Sequence, residues 1–164
     1  MDQFVQKGKD APSLPRLWWD QPLFKSGKLM GVRRRSSWVL PEKPNSLYRV
    51  LIVDDERDIA WFLGELLKTR GFQIATAYEG RTGLAMAAAL LPDLVLLNLI
   101  MPGLNGYEVL RALRRAPATA HIKVIMHSSL PVGREACARG AEDFIKVPCE
   151  FRELHEKVSR VLRA

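Results

Sequence analysis

The sequence predicts an α/β domain, a doubly wound parallel sheet of five strands with helices on both faces. From residue 48 onward, short apolar runs alternate with amphipathic segments at helical spacing, and this pattern repeats five times. Strands that are buried on both faces have continuous apolar sequences, and regular strand–helix alternation is typical of right-handed βα units. The carboxyl ends of such strands share one crevice, where the functional groups are expected.

The first two units follow directly from the residue pattern. RVLIVD (49–54) is a continuous apolar run and predicts the first strand. A helix is predicted over residues 56–71, because apolar side chains recur there at helical spacing and Gly71 can end it. FQIATA (72–77) predicts the second strand, and the Ala-rich residues 80–90 predict the second helix.

The other three units show the same alternation. DLVLLN (93–98) predicts the third strand, with a helix from Tyr107 to Arg115 behind it. IKVIMH (122–127) and DFIKV (143–147) predict the fourth and fifth strands. The last helix has one apolar stripe, formed by Phe151, Leu154, Val158 and Leu162.

Most of the positive charge lies before the predicted domain. The 164-residue chain has a net charge of +7, and residues 1–49 contribute +6, from ten Lys or Arg against four Asp or Glu. Prolines interrupt every candidate element in residues 1–48, so we expect a flexible extension there and a folded domain over residues 49–164. Interleaved Arg and Trp side chains in this extension could bind nucleic acid or an anionic surface, although simple disorder is the more economical expectation.

The compartment is predicted from cysteines and hydropathy. Cys137 and Cys149 are isolated, with no metal-ligand spacing and no disulfide framework. No apolar run approaches the roughly 18 residues of a transmembrane helix, and the N-terminus lacks the apolar region of a secretory signal. We therefore expect a cytoplasmic protein without a transmembrane segment.

Polar residues at the predicted strand ends mark a candidate site. The shared crevice should bring together Asp54, Asp55, Asn98, Ser128 and the residues around 146–148. Two adjacent carboxylates repel one another and favour a hard cation such as Mg²⁺. An equally weighted alternative is that Asp55 caps the first helix while Asp54 is solvated.

Four segments together resemble the receiver domains of bacterial two-component response regulators. They are VLIVDDERDI, ALLPDLVLLNLIMPGLNGYEVLRALR, KVIMHSS and GAEDFIKVP, and the resemblance extends from about residue 49 to residue 162. It implies a flavodoxin-like strand order of 2-1-3-4-5 and a role in phosphorelay signal transduction. Working receivers use Mg²⁺ to transfer a phosphoryl group from a partner histidine kinase to their own Asp.

Several residues match the family's functional positions. By this resemblance, Asp54 and Asp55 correspond to the acidic pair that holds Mg²⁺. Ser128 corresponds to the hydroxyl residue that contacts the phosphoryl oxygen, and Phe144 to the switch aromatic. From the residues alone, Phe144 is expected to serve core packing, and His127 to be a strand residue rather than a ligand.

Two positions depart from the family. Asn98 stands where the resemblance requires the phosphoacceptor Asp, and Val147–Pro148 stands for the family's Lys-Pro, with Lys146 one place too early. A neutral amide is a far weaker nucleophile than a carboxylate, so phosphorylation is not expected. Because strand side chains alternate faces, Lys146 should point away from the crevice where Val147 points in. Binding of Mg²⁺ should be weakened, since one anionic ligand is lost.

Two further features concern the surface. Pro131 and Gly133 limit the fourth helix to little more than a turn and a half, from Arg134 to Arg139. Trp61 lies off the apolar stripe of its helix, so it could anchor a partner or could be an ordinary surface aromatic.

These observations predict a pseudo-receiver that is not an enzyme. It would act as a phosphorylation-independent interaction module, whose partner is a histidine kinase or an output protein. One alternative is an active receiver whose phosphoacceptor has moved, for instance to Asp54 or Asp55. Another is a nucleic-acid-binding protein that uses the basic residues 1–48.

Overall fold

The computed structural model describes residues 47–164. The expected flexibility and binding role of the N-terminal extension therefore lie outside the described residues, apart from the last two of its 48 positions. The strands are β1 (Arg49–Val53), β2 (Gln73–Ala77), β3 (Leu94–Asn98), β4 (Lys123–Ser128) and β5 (Asp143–Lys146). The helices are α1 (Arg57–Lys68), α2 (Gly80–Leu90), α3 (Gly106–Arg115), α4 (Gly133–Ala138) and α5 (Phe151–Arg163).

The strands form one parallel sheet in the order β2-β1-β3-β4-β5, which confirms the predicted fold class. β3 is central, and all five of its residues are buried, as the continuous apolar run required. In register, Val53 of β1 pairs with Leu97 of β3, and Asn98 pairs with His127 of β4. The ends of β1, β3 and β4 therefore meet at one edge of the sheet.

The two faces of the sheet pack against different helices. On β1, Leu51 and Val53 join a buried cluster with α2, α3 and α4. Val50 and Ile52 point the other way, into a cluster with α1 and α5. A fully buried aliphatic side chain contributes about 1.5–3 kcal/mol relative to an exposed one, so both layers hold the strand ends firmly in place.

The loop after β3 is fixed by a helix cap and a glycine. The Asn105 side chain accepts from the Glu108 backbone N–H, and the Glu108 carboxylate accepts from the Asn105 N–H, forming a capping box at the start of α3. Gly106 lies so close to the sheet that a Cβ atom there would collide with the Asn98 carbonyl oxygen. The chain can pass this close to the end of β3 only with glycine at that position.

α4 is a helix of six residues, Gly133–Ala138, in which only Ala136 is buried. The expected short fourth helix is therefore present, and it starts one residue before the predicted Arg134. Its end is set by Gly140, which has φ +102°.

None of the helices within residues 47–164 is both long and apolar enough to cross a bilayer. The longest of them, α5, has 13 residues and a length of about 20 Å.

Candidate functional site: the carboxyl edge of the sheet

Three buried polar side chains stand side by side at the carboxyl edge of the sheet. Asp54 follows β1 directly, Asn98 ends β3, and His127 is the register partner of Asn98 on β4. Residues two positions earlier, such as Ile52 and Leu96, pack towards α1 and α5, and strand alternation puts the three polar side chains on that same face. The sequence predicted that Asp54 and Asn98 would meet, but not that His127 would join them.

Asn98 is the centre of the site. Its Nδ2 lies 2.9 Å from Asp54 Oδ1, 3.1 Å from Asp55 Oδ1 and 2.9 Å from the carbonyl oxygen of Ile100, and it donates to all three. Its Oδ1 accepts from the Ile100 backbone N–H at 3.3 Å. An amide nitrogen has two hydrogens, so three acceptors around it require at least one shared hydrogen. The side chain is thus fixed at both ends.

Asp54 is fully buried and only partly satisfied. Its Oδ1 accepts from the backbone N–H of Glu56 and from Asn98, whereas its Oδ2 has no hydrogen-bond partner within the described residues 47–164. Burial raises the pKa of Asp54 to about 6, although the hydrogen bonds from Glu56 and Asn98 oppose this rise. The nearby charges of Asp55 and Glu56 add to the rise. The carboxylate is therefore ionised at neutral pH but can be protonated under mildly acidic conditions.

His127 lies beside the unsatisfied oxygen of Asp54. Its Nε2 is 3.6 Å from Asp54 Oδ2, too far for a hydrogen bond, and neither ring nitrogen has a hydrogen-bond partner in the part of the chain that the structure describes. Burial lowers the pKa of His127 to about 4, so the ring is neutral at physiological pH. His127 is a strand residue, as expected, and it brings no positive charge to the two carboxylates.

Comparison of the sequence with protein-family models identifies the family of this chain. The family model for the response regulator receiver domain matches residues 50–159, which include every element of the sheet apart from the first residue of β1. The chain belongs to this family.

Relatives of this receiver support the assignment. It is 37% identical over 119 residues to the response regulator PleD of Caulobacter vibrioides, an alignment that covers 70% of this chain and 26% of PleD. It is 32% identical over 115 residues to the response regulator ArlR of Staphylococcus aureus, which covers 70% of this chain and 52% of ArlR. The chain thus spans about half or less of the length of these two curated relatives.

Solved structures show the same fold. A putative response regulator from Chloroflexus aurantiacus aligns with a TM-score of 0.68 at 27% identity, covering 71% of this chain and 98% of that one. The signal receiver domain of a signal transduction histidine kinase from Syntrophus aciditrophicus aligns with a TM-score of 0.65 at 31% identity, covering 71% and 90%. Each of these alignments covers a share of this chain similar to that of the family match.

Ser128 is the last residue of β4, and Phe144 lies within the neighbouring strand β5. Ser128 is buried at the end of β4, and its Oγ accepts from the Leu130 backbone N–H at 3.2 Å. Phe144 is buried in the cluster between the sheet and α2, α3 and α4, so it serves core packing. Gly133 packs against its ring, since a Cβ atom at this glycine would lie 3.0 Å from Phe144 Cδ1.

The end of β5 lacks a cation in the crevice. Lys146 is exposed, and within residues 47–164 no hydrogen bond or ion pair joins it to Asp54 or Asn98. Val147 is partly buried against the cluster on the α1 and α5 face, and its backbone N–H donates to the Ser128 carbonyl oxygen at 3.0 Å. The exposed Pro148 follows through a cis peptide bond.

The donor set of this crevice does not fit Mg²⁺. Mg²⁺ requires oxygen ligands at about 2.0–2.1 Å in near-octahedral geometry. Here the oxygens of Asp54, Asp55 and Ile100 surround an N–H donor instead. Among residues 47–164, no three His, Cys, Asp or Glu side chains form a group that could hold a metal ion. The sequence did not predict that the Ile100 carbonyl oxygen would be one of the three oxygens around Asn98 Nδ2.

Proposed function

We propose that this receiver works in two-component signal transduction as a phosphorylation-independent protein-interaction module, and that it is not an enzyme. The observation that supports this most strongly is the position of the Asn98 amide, which donates to Asp54, Asp55 and the Ile100 carbonyl. A phosphoacceptor must present an unpaired carboxylate oxygen to the phosphorus atom. The Asn98 side chain has no carboxylate, and its one oxygen accepts a hydrogen bond from the backbone.

Among the described residues, the surroundings of Asn98 also lack a cation that would stabilise a transferring phosphoryl group. Phosphoryl transfer depends on cations placed against the developing negative charge. Lys146 is exposed, Val147 is apolar and His127 is neutral at physiological pH. Ser128 retains its hydroxyl group at the edge of the crevice, but one hydroxyl group cannot supply this charge.

A contact surface is available on α1. Trp61 is 65% exposed and its neighbour Phe62 is 52% exposed, which is unusual for two consecutive large aromatic residues. Buried tryptophans are frequent hot spots of protein interfaces. We propose that a histidine kinase or an output protein covers this pair. Since Cys137 and Cys149 are both free thiols, we place this interaction in the reducing cytoplasm.

The two alternatives are less well supported. Asp54 has one oxygen, Oδ2, without a hydrogen-bond partner among residues 47–164, but the side chain is fully buried and Oδ2 lies beside the His127 ring. A phosphodonor cannot reach it there, which argues against a relocated phosphoacceptor at Asp54. Asp55 is more accessible, but its Oδ1 is held by the same Asn98 amide. Nucleic-acid binding through residues 1–48 depends almost entirely on positions outside the described part of the chain.

The test is exposure of the full chain to acetyl phosphate and Mg²⁺, followed by intact mass measurement. We expect no mass increase for the wild type. The double variant Asn98→Asp/Val147→Lys, which restores both the nucleophile and the cation, is the positive control and should gain one phosphoryl group. Stoichiometric modification of the wild type would refute the proposal. Asp54→Asn and Asp55→Asn variants would then locate a moved phosphoacceptor.

A further inference from the structure

We propose that the Asn98 amide nitrogen takes the place of the divalent cation in this receiver, holding its acidic crevice together without metal. This deepens the proposed function, and rests on it in treating Asn98 as a structural group rather than a phosphoacceptor. By this proposal, the Asn98 side-chain amide alone is sufficient to make the crevice independent of Mg²⁺. The loss of one anionic ligand would then not be the main reason that Mg²⁺ fails to bind.

The Asn98 amide nitrogen occupies the position that a cation would need. Three oxygens from three residues converge on one atom, at 2.9, 3.1 and 2.9 Å from Nδ2. Two of them are carboxylate oxygens and the third is a backbone carbonyl oxygen, all typical ligands of a hard cation. An atom at the common focus of these oxygens excludes a cation from the same position. For Mg²⁺ to bind there, the nitrogen would have to leave and the oxygens would have to move inward by about 1 Å.

The Asn98 amide also offsets the negative charge of the two carboxylates. Adjacent carboxylates in a buried crevice need nearby positive charge or hydrogen-bond donors. Asp54 receives only two hydrogen bonds from residues 47–164, one from the Glu56 N–H and one from the Asn98 amide. The Asn98 amide is also the group that links Asp54 to Asp55. Both hydrogen bonds to Asp54 act to lower its pKa against the effect of burial.

The Asn98 side-chain amide cannot easily become a ligand of Mg²⁺. Rotating the Asn98 side chain would turn Oδ1 towards the carboxylates and could in principle offer an oxygen to Mg²⁺. The rotation would break all three hydrogen bonds donated by Nδ2 and the bond from the Ile100 N–H to Oδ1. Because Asn98 is only 8% exposed, water cannot readily replace these partners.

Urea unfolding of the full chain, in EDTA and across a millimolar series of MgCl₂, tests the inference. Matched KCl series correct for ionic strength. The wild type should show no saturable Mg²⁺ effect on its unfolding midpoint. Asn98→Ala should lose stability in EDTA and regain part of it with Mg²⁺, because removing the amide opens the position between the carboxylates. Asn98→Asp should show the larger regain, since it adds a third anionic ligand.

The alanine variant separates two explanations. If Mg²⁺ fails to bind merely because an anion is missing, Asn98→Ala will be as unresponsive as the wild type, and the inference is overturned. A saturable Mg²⁺ response of the wild type would overturn it as well. Asn105→Ala, which removes the cap of α3 but none of the groups that contact Asn98 Nδ2, is the matched control and should lose stability without responding to Mg²⁺. Isothermal titration with MgCl₂ provides a second readout if Asn98→Asp folds poorly.

Failure of the inference can be distinguished from failure of the proposed function. A wild type that binds Mg²⁺ but takes up no phosphoryl group would overturn the amide's role alone. Uptake of a phosphoryl group in the acetyl phosphate experiment would overturn the proposed function, whatever the Mg²⁺ titrations show.

Discussion

Replacing His127 with leucine should change how the stability of this receiver responds to acid. The ring of His127 is buried next to Asp54, with 3.6 Å between Nε2 and Oδ2. Both groups have shifted pKa values, for the same reason: burial penalises the charged form of each. The charged form is the deprotonated one for Asp54 and the protonated one for His127, so the two shifts have opposite effects on pH-dependent stability.

The magnitudes follow from linkage. The pKa of Asp54 rises from 3.8 to about 6, so its contribution to stability is complete below pH 3.8 and is lost as the pH rises through 6. The pKa of His127 falls from 6.5 to about 4, so its contribution is complete above pH 6.5 and is lost as the pH falls through 4. Each shift corresponds to about 3 kcal/mol. Between pH 4 and 6.5 the two effects nearly cancel in the wild type.

The assay is urea unfolding between pH 4 and pH 7. We expect His127→Leu to gain about 3 kcal/mol of stability relative to the wild type as the pH falls through this window, because only the Asp54 effect remains. The reciprocal variant, Asp54→Asn, should lose a similar amount over the same window. Parallel pH profiles for His127→Leu and the wild type would refute the reasoning, whatever the absolute stability of the variant.

Two further predictions concern the loop after β3 and the surface of α1. Gly106→Ala should destabilise the fold by about 3 kcal/mol or more in urea unfolding, because its Cβ would collide with the backbone carbonyl oxygen of Asn98, which cannot easily move aside. Gly103→Ala, where φ is +74° but the space is open, should lose only about 1–2 kcal/mol, and equal losses would contradict the steric argument. Trp61→Ala should leave the unfolding midpoint unchanged but weaken binding to the cognate kinase or output protein at least tenfold by calorimetry. Arg111→Ala, at an exposed position on α3, is the control and should bind as the wild type does. Unchanged affinity of Trp61→Ala would show that Trp61 is not part of the interface.

The strands could be predicted from the sequence because their signal is local. Burial on both faces requires a continuous apolar run, as in β1, β3 and β4. Each predicted strand agrees with the structure to within one residue at either end. Helix ends were less exact because capping decides them. The first helix was predicted to reach Gly71, but α1 ends at Lys68, and the third begins at Gly106 because Asn105 is its cap.

The candidate site could be predicted only in part. The convergence of Asp54, Asp55 and Asn98 follows from topology, since parallel strands end at one edge. The role of the Ile100 carbonyl could not be predicted, because the direction of a loop carbonyl depends on backbone torsions that no single residue type specifies. The contact of His127 with Asp54 depends on the register across three strands, and the hydrophobic pattern of one strand does not contain that information.

The charges at the site connect the two departures from the family pattern. Three carboxylates and one ammonium give a formal sum of −2, and Asp54 and Asp55 with the neutral Asn98 and Val147 also give −2. A lysine at position 147 would be costly to bury without its third acid, and an aspartate at position 98 would leave three acids against a neutral His127. Either reversal alone should therefore be less stable than the two together, because each new charge stabilises the other. An unfolding double-mutant cycle with Asn98→Asp and Val147→Lys should show this as favourable coupling, and additive effects would mean that the two side chains do not stabilise each other.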